Sequence, residues 1–299
     1  MPDVTDFIIT INPEDKSLRL AVTYDKGTAT VRAPEGARFR HPVRVRWKRS
    51  RRDTAINLTV GKGATVCVIE EIAGARTSHA AVVRVEAGAN VEFISINRMS
   101  SNAAVQITQR SHLGDNAAIN WRNITLGSAK VTHDILSELA GEDATSGIDW
   151  MFYAKGDETY RLRARNVFNG KRGRGEIIMK GVAGERGHVR CDGMIKIGEG
   201  GSGTGTRLTQ DVLMLDKTAK VDAIPALEIK TNDVKASHSA AVSHVTNEDM
   251  FYFAARGVGE REARRMFVEG FLWEMTAKIG DRQSREKLLE AVERKCRSR

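Results

Sequence analysis

The sequence predicts an all-β chain with C-terminal helices, and within that class a stack of coils, a parallel β-helix. Three observations lead there. Short runs of alternating apolar and polar residues fill most of the 299 residues. A unit of strand, Gly-x-x turn and second strand recurs at an irregular period in the solenoid range. Helical spacing of apolar residues dominates only after about residue 246. One such strand unit cannot bury its apolar face, whereas stacked coils enclose a continuous interior. A jelly roll or sandwich is the alternative that many short strands leave open.

Residues 1–54 read as an N-terminal β-rich portion. Its runs at 7–11, 18–22, 28–31 and 43–47 are separated by turn clusters around Asn12 and Pro13, Lys26 and Gly27, and Pro34 and Gly36. Residues 55–245 form the coil region. The run that follows Gly63 is echoed by the run that follows Gly88, each preceded by an alternating strand (56–60 and 82–85). Fainter echoes start at Gly114, Gly156, Lys171 and Lys217. Residues 246–299 read as a helical, partner-binding region. Thr246 with Asp249 three residues later is an N-cap signature, and Gly257 and Gly259 end that first helix. Ala263, Met266, Phe267, Gly270 and Phe271 share a face of the second, and Asp281 opens a third with Leu288, Leu289, Val292 and Cys296 along one side. Three short helices cannot make a core of their own, so they are expected to pack on the solenoid or on a partner.

Composition narrows the function classes. No run of eighteen apolar residues exists, so no membrane span is expected. The start has no basic stretch followed by an apolar one, as a secretory signal would. Three widely spaced cysteines (Cys67, Cys191, Cys296) do not suggest a disulfide framework, and the chain reads as cytoplasmic. Alternation leaves Cys67 facing core or solvent, with the core favoured, and Cys296 reads as an exposed thiol in a basic tail that favours its thiolate. Forty-seven Lys and Arg against 38 Asp and Glu give a net +9, concentrated at residues 44–52, 171–174 and 293–299. Such clusters suit nucleic acid, acidic partners or a solvated face. A basic nucleic-acid-binding β protein is one alternative reading, with Trp47 the one aromatic residue in the first cluster to stack on a base. A β-helix enzyme acting on polysaccharide would need carboxylates clustered along one face, and none has that spacing. The glycine-rich stretch 198–205 lacks the closing Gly-Lys-Ser/Thr of a Walker A loop, so no nucleotide hydrolysis is expected of this chain.

The most informative stretch runs from Pro225 to Val258. Pro225, Leu227, Glu228 and Ile229 are followed by Asn232, Asp233 and Val234, then Ser237, His238, Ser239 and Ala240, and finally Phe251, Tyr252, Arg256 and Gly257. That order resembles the C-terminal core of the SufB/SufD family, the scaffold proteins of the SUF iron–sulfur cluster assembly system. Ser239 stands for the family's Gly after His, and Val258 for its Ile. The resemblance covers roughly residues 170–275 and looks like a short form without the family's N-terminal helical region. It implies a right-handed parallel β-helix and a non-enzymatic scaffold. The implied partners are a SufC-like ABC ATPase, a second SufB/SufD-type scaffold chain (self or paralogue) and iron–sulfur acceptor proteins. His238 occupies the family's Ser-His-Gly-Ala histidine position and is the expected metal ligand for a transient iron–sulfur cluster. Gln210 stands where SufB-type members carry the cluster cysteine, so the remaining ligands are sought at Asp211, Glu228 and Cys191. Phe251, Tyr252, Arg256, Gly257, Phe267 and Phe271 are the expected contacts to the ATPase.

Overall fold

The computed structural model describes residues 7–47, 53–74, 78–99 and 102–297. Successive strands alternate between two nine-stranded sheets, and neighbours within each sheet are parallel from Thr28–Ala33 onward. The result is a parallel β-solenoid of about seven turns with three helices at its C-terminal end, as the alternation and turn spacing predict. In the first sheet Thr65 lies beside Asn90, Asn90 beside Ala118, Ala118 beside Thr145 and Thr145 beside Arg174. One coil therefore takes roughly 25 to 29 residues there, within the range of solenoid repeats. Two antiparallel strands close the N-terminal end: Phe7–Thr10 pairs with Val43–Trp47, and Ala21–Asp25 with Thr28–Ala33.

The turn after every second strand carries one residue of positive φ, and these residues stack: Gly36, Gly63, Gly88, Asn116, Asp143, Arg172 and Gly203. Each donates its N–H to a carbonyl of the next coil's turn, as Gly63 does to Ala87 and Asn116 to Glu142. Glycine adopts this backbone at no steric cost, and Asn and Asp tolerate it. The Gly-x-x echoes at Gly63 and Gly88 are thus two rungs of one ladder.

Inside, alternate residues of both sheets meet in one apolar core that includes Phe93, Trp121, Trp150, Tyr160 and Phe168, all fully buried. Polar residues share the interior and pair across it. Trp47 Nε1 donates to Glu70 at 2.8 Å, and the same carboxylate lies 3.0 Å from His79 Nε2. His133 Nε2 sits 3.1 Å from Gln109 Oε1 with its ring edge-on to Trp150. Burial holds the His133 imidazole far below its usual range, at about 3.

A second core lies outside the first sheet. Ile69, Ile94, Ile124, Met151, Val182 and Leu213 point outward there, against α2 (Glu260–Ala277) and α3 (Arg282–Arg297). Val268, Leu272, Met275, Leu288 and Val292 are buried against them, at roughly 1.5–3 kcal/mol for each side chain removed from water. Ion pairs fix the hairpin along its length: Arg264 to Asp216 (3.0 Å), Lys278 to Asp149 (2.8 Å), Arg44 to Asp281 (2.9 Å) and Lys295 to Glu158 (2.6 Å). Helix α1 (Asn247–Ala254) differs, because it buries no residue. It carries the expected capping box, Thr246 accepting from the Asp249 N–H and Asp249 from the Thr246 N–H, and Gly257, at φ +78°, turns the chain out of it.

Two cysteines depart from the sequence reading. Cys67 points out of the solenoid into the second core, because Val66 and Val68 on either side take the interior positions. Burial pushes its thiol up to about 12. Cys296, in the last turn of α3, is half-buried against the second core, and burial raises its thiol to about 11 despite nearby cations. Lys295, expected to favour its thiolate, is turned toward Glu158 instead.

Candidate functional site

The strands Lys220–Ile229 and Val234–His244 form the last coil, joined through Thr231, Asn232 and Asp233. Asp233 ties the turn to the coil before it, its carbonyl accepting from Gly203 N–H at 2.7 Å and its carboxylate from Ser202 Oγ at 2.7 Å. Each strand is the last of its sheet, so the outer edges carry no strand partner. Pro225, which lacks an N–H, fits an edge strand. Long open edges are normally covered, and solenoid ends normally carry a polar cap. Among the described residues this end has neither.

Register shows what the open end presents. Val43, Val68, Phe93, Trp121, Ile148, Ile177 and Leu208 form one inward column, a residue per coil, and His238 is its next member. The imidazole occupies a core-facing position and is exposed because no further coil covers it. Ala236, Ala240 and Val242 flank it on the same strand, continuing the columns of Thr206, Gln210 and Val212. Val221, Ala223, Pro225 and Leu227 face it from the other sheet, all half-buried. The end surface is thus small and apolar around a single imidazole.

The other expected ligands do not join His238. Asp211 points to the outside of the first sheet and pairs with Lys180 at 3.5 Å, a lysine that also binds Glu274 of α2 at 3.2 Å. Glu228 points to the outside of the second sheet, held by Lys196 at 2.9 Å and Lys230 at 3.8 Å. The hydrogen bond from Lys196 keeps its carboxyl below the usual range. Cys191 is fully buried in the solenoid core, and burial pushes its thiol well up. Gln210 lies across the interior from it, donating to the Cys191 carbonyl at 3.1 Å and contacting Met179 Sδ at 3.5 Å. No group of three or more His, Cys, Asp or Glu suited to a metal ion occurs among the described residues.

Beside the open end the chain leaves the last strand for α1. Phe251 is 74% exposed and Tyr252 54%, with the Arg256 guanidinium stacked 3.5 Å from the Tyr252 ring centroid. Phe253 joins α1 to α2 by an edge contact with Phe267 at 5.3 Å. Phe267 and Phe271 are half-buried against the second core, and Lys180 Nζ lies 4.8 Å from the Phe271 ring centroid. Trp273, on the free side of α2, is 63% exposed. A cleft of about 530 Å³ opens between the last coil and α1, lined by Met214, Asp216, His244, Thr246, Met250 and Arg264 among others. His244 had no sequence signal beyond its place in a strand.

The basic run at 44–52 does not form a described patch. Arg44 is bound to Asp281, Arg46 to Glu71, and Trp47 is buried; residues 48–52 lie outside the described residues. No helix among the described residues is long and apolar enough to cross a membrane.

Comparison with known proteins agrees with the motif order. Residues 50–271 match the family described as SUF system FeS cluster assembly, SufBD core domain. The iron–sulfur cluster assembly protein SufD of Escherichia coli (strain K12) is 28% identical over 167 residues, 56% of this chain and 40% of that protein. SufD of Bacillus subtilis (strain 168) is 26% identical over 179 residues, 60% of this chain and 41% of that protein. An iron–sulfur cluster assembly SufBD family protein of Mycobacterium leprae is 37% identical over 107 residues, 36% of this chain and 27% of that protein. The matches thus span about two-fifths or less of each of these relatives. With the family match covering well over half of its length, and a parallel solenoid that ends in the Ser-His strand, the chain belongs to the SufBD family of iron–sulfur cluster assembly proteins.

Proposed function

We propose that this chain is a non-enzymatic scaffold subunit for assembling or transferring an iron–sulfur cluster, with a second SufB/SufD-type chain seated against its last coil and a SufC-like ABC ATPase on its helices. The observation that carries this reading is His238, an imidazole at a core-facing position on an uncovered solenoid end. A partner that continues the ladder would bury the open edges and enclose His238 at the junction. The cluster is cargo, and iron–sulfur clusters are held mainly by cysteine thiolates. This end supplies one imidazole and no thiol, since Cys191 is interior and Cys67 and Cys296 pack into the second core between the first sheet and the helices. Two copies of this chain would bring two imidazoles and no exposed thiolate, which favours a paralogous partner that brings the cysteine. The exposed ring of Phe251 and the Tyr252–Arg256 stack, beside the cleft, suit an ATPase contact. ATP-driven closure of the ATPase pair would open the junction only if it favours one arrangement of the scaffold pair energetically.

The test is anaerobic reconstitution of this chain alone, with a cysteine-bearing SufB-type chain, and with that chain plus the ATPase. Iron–sulfide absorption is expected in the paired samples and lost in His238→Ala. Full cluster loading by this chain alone, or undiminished loading by His238→Ala in the pair, would overturn the proposal.

A further inference from the structure

The outer face of the second sheet lies away from the helices, and four of its strands carry an excess of positive charge. Four neighbouring strands, Ala104–Leu113, Lys130–Leu139, Thr159–Phe168 and His188–Ile197, run in parallel register there. Their interior residues alternate with outward ones. The outward set includes seven cations, Arg110, Lys130, Arg161, Arg163, Arg165, Arg190 and Lys196, against three carboxylates, Asp134, Glu138 and Asp192. The difference is +4 over these four strands of a chain whose total is +9; Lys196 is paired with Glu228 of the next strand at 2.9 Å. With strands about 4.8 Å apart and about 6.6 Å between alternate residues, the cations form a flat lattice.

Part of that lattice is already matched internally. Asp134 bridges Arg163 at 3.2 Å and Arg165 at 2.8 Å, and Asp192 accepts from Arg190 at 3.1 Å. Arg110, Lys130 and Arg161 have no ion-pair partner among the described residues. Planar guanidiniums match carboxylates two bonds at a time, and this face shows that match within its own chain.

We propose that this face is a docking surface for an acidic protein, which seats carboxylates between Arg110, Arg161 and their neighbours. A single-stranded nucleic acid fits less well. None of the outward residues of these four strands is Phe, Tyr or Trp, and the two imidazoles there, His112 and His188, are held by Glu138 and Asp222, so bases would find no row of open rings to stack on. The three interspersed carboxylates would also repel a continuous phosphodiester chain, whereas separate side-chain carboxylates can interleave with them. The proposal is independent of the open end and of the helices.

Fluorescence anisotropy of the full chain tests it, with labelled poly-L-glutamate as the carboxylate probe and a labelled single-stranded oligonucleotide of equal charge as the comparison. At about 0.15 M salt, where distant charges are screened, the wild type should bind poly-L-glutamate more tightly than the oligonucleotide. Arg110→Glu with Arg161→Glu should weaken poly-L-glutamate tenfold or more. The same charge change placed elsewhere, Lys62→Glu with Arg207→Glu, should alter it less than twofold. Circular dichroism monitors the fold in each variant. Poly-L-glutamate affinity within twofold of wild type in the Arg110 and Arg161 variant, equal loss in the control variant, or tighter binding of the oligonucleotide would each overturn it.

Discussion

Replacing Glu158 by Gln removes one charge from the point where α3 is fastened to the solenoid. Lys295 and Glu158 side chains are 10% and 15% exposed and meet at 2.6 Å. The Glu158 Oε2 atom also accepts from the Tyr160 hydroxyl at 2.8 Å and the Lys155 N–H at 2.9 Å. Burial disfavours the Lys295 ammonium, and Glu158 is the largest influence that offsets this. Breaking a buried pair from one side costs about 3–5 kcal/mol, because the other charge stays in place. Gln keeps an acceptor and Lys295 still reaches the Leu126 carbonyl at 3.0 Å, so the lower end, about 3 kcal/mol, is expected. If the helical hairpin opens locally, that energy corresponds to roughly a hundredfold rise in the open population. Urea unfolding would report a global loss, and limited proteolysis near residues 278–282 would report a local one. Glu158→Gln with Lys295→Met removes both charges and should restore stability to within about 1 kcal/mol of wild type. A single variant as stable and protease-resistant as wild type, or a double variant no better than the single, would refute the reasoning.

Three further outcomes follow from the same structure. A Cβ added at Gly141 would fall 2.1 Å from the Gly114 backbone carbon, whereas one at Gly184 meets nothing closer than 3.5 Å. Gly141→Ala should therefore lose about 2–4 kcal/mol in thermal unfolding, and Gly184→Ala well under 1. His133 gains its proton at about pH 3 when folded and near 6.5 when unfolded, so the unfolded chain binds more protons between those values. Its contribution is whole well above pH 6.5 and falls, by up to about 1.4 kcal/mol per pH unit, toward pH 3; between pH 7 and 5 the unfolding free energy from urea titration should drop about 2 kcal/mol less in His133→Gln than in wild type. Because Phe251 and Tyr252 are exposed, Phe251→Ala with Tyr252→Ala should leave the unfolding midpoint unchanged while weakening a SufC-like ATPase tenfold or more in a pull-down titration.

The coil architecture was legible where turn chemistry repeats. Gly63 and Gly88 disclose the ladder, but Asn116, Asp143 and Arg172 take the same left-handed position in later coils, so the sequence repeat fades while the backbone repeat persists. The helix caps at Thr246 and Gly257 were legible because they rest on local bonds. The second core was not. Ile69, Ile94 and Ile124 occupy outward positions, a hint of something packed outside, yet alternation within one strand cannot say which face a helix covers. The same blindness misassigned Cys67 and Cys296. His238 was singled out by its motif neighbours alone. Its separation from Asp211, Glu228 and Cys191 depends on inward and outward parity across coils, which requires the register that the fold provides.

The two ends of the solenoid differ in what they can accept. At the beginning, reversed strands of four and five residues, Phe7–Thr10 and Ala21–Asp25, interrupt the parallel run and make poor templates for another chain. At the finish, two strands of ten and eleven residues stand ready for one. Among the described residues, only the finish offers long parallel edges to a further strand. A second chain seated there would then leave no further receptive end among the described residues, and the solenoid would form a discrete particle rather than a filament.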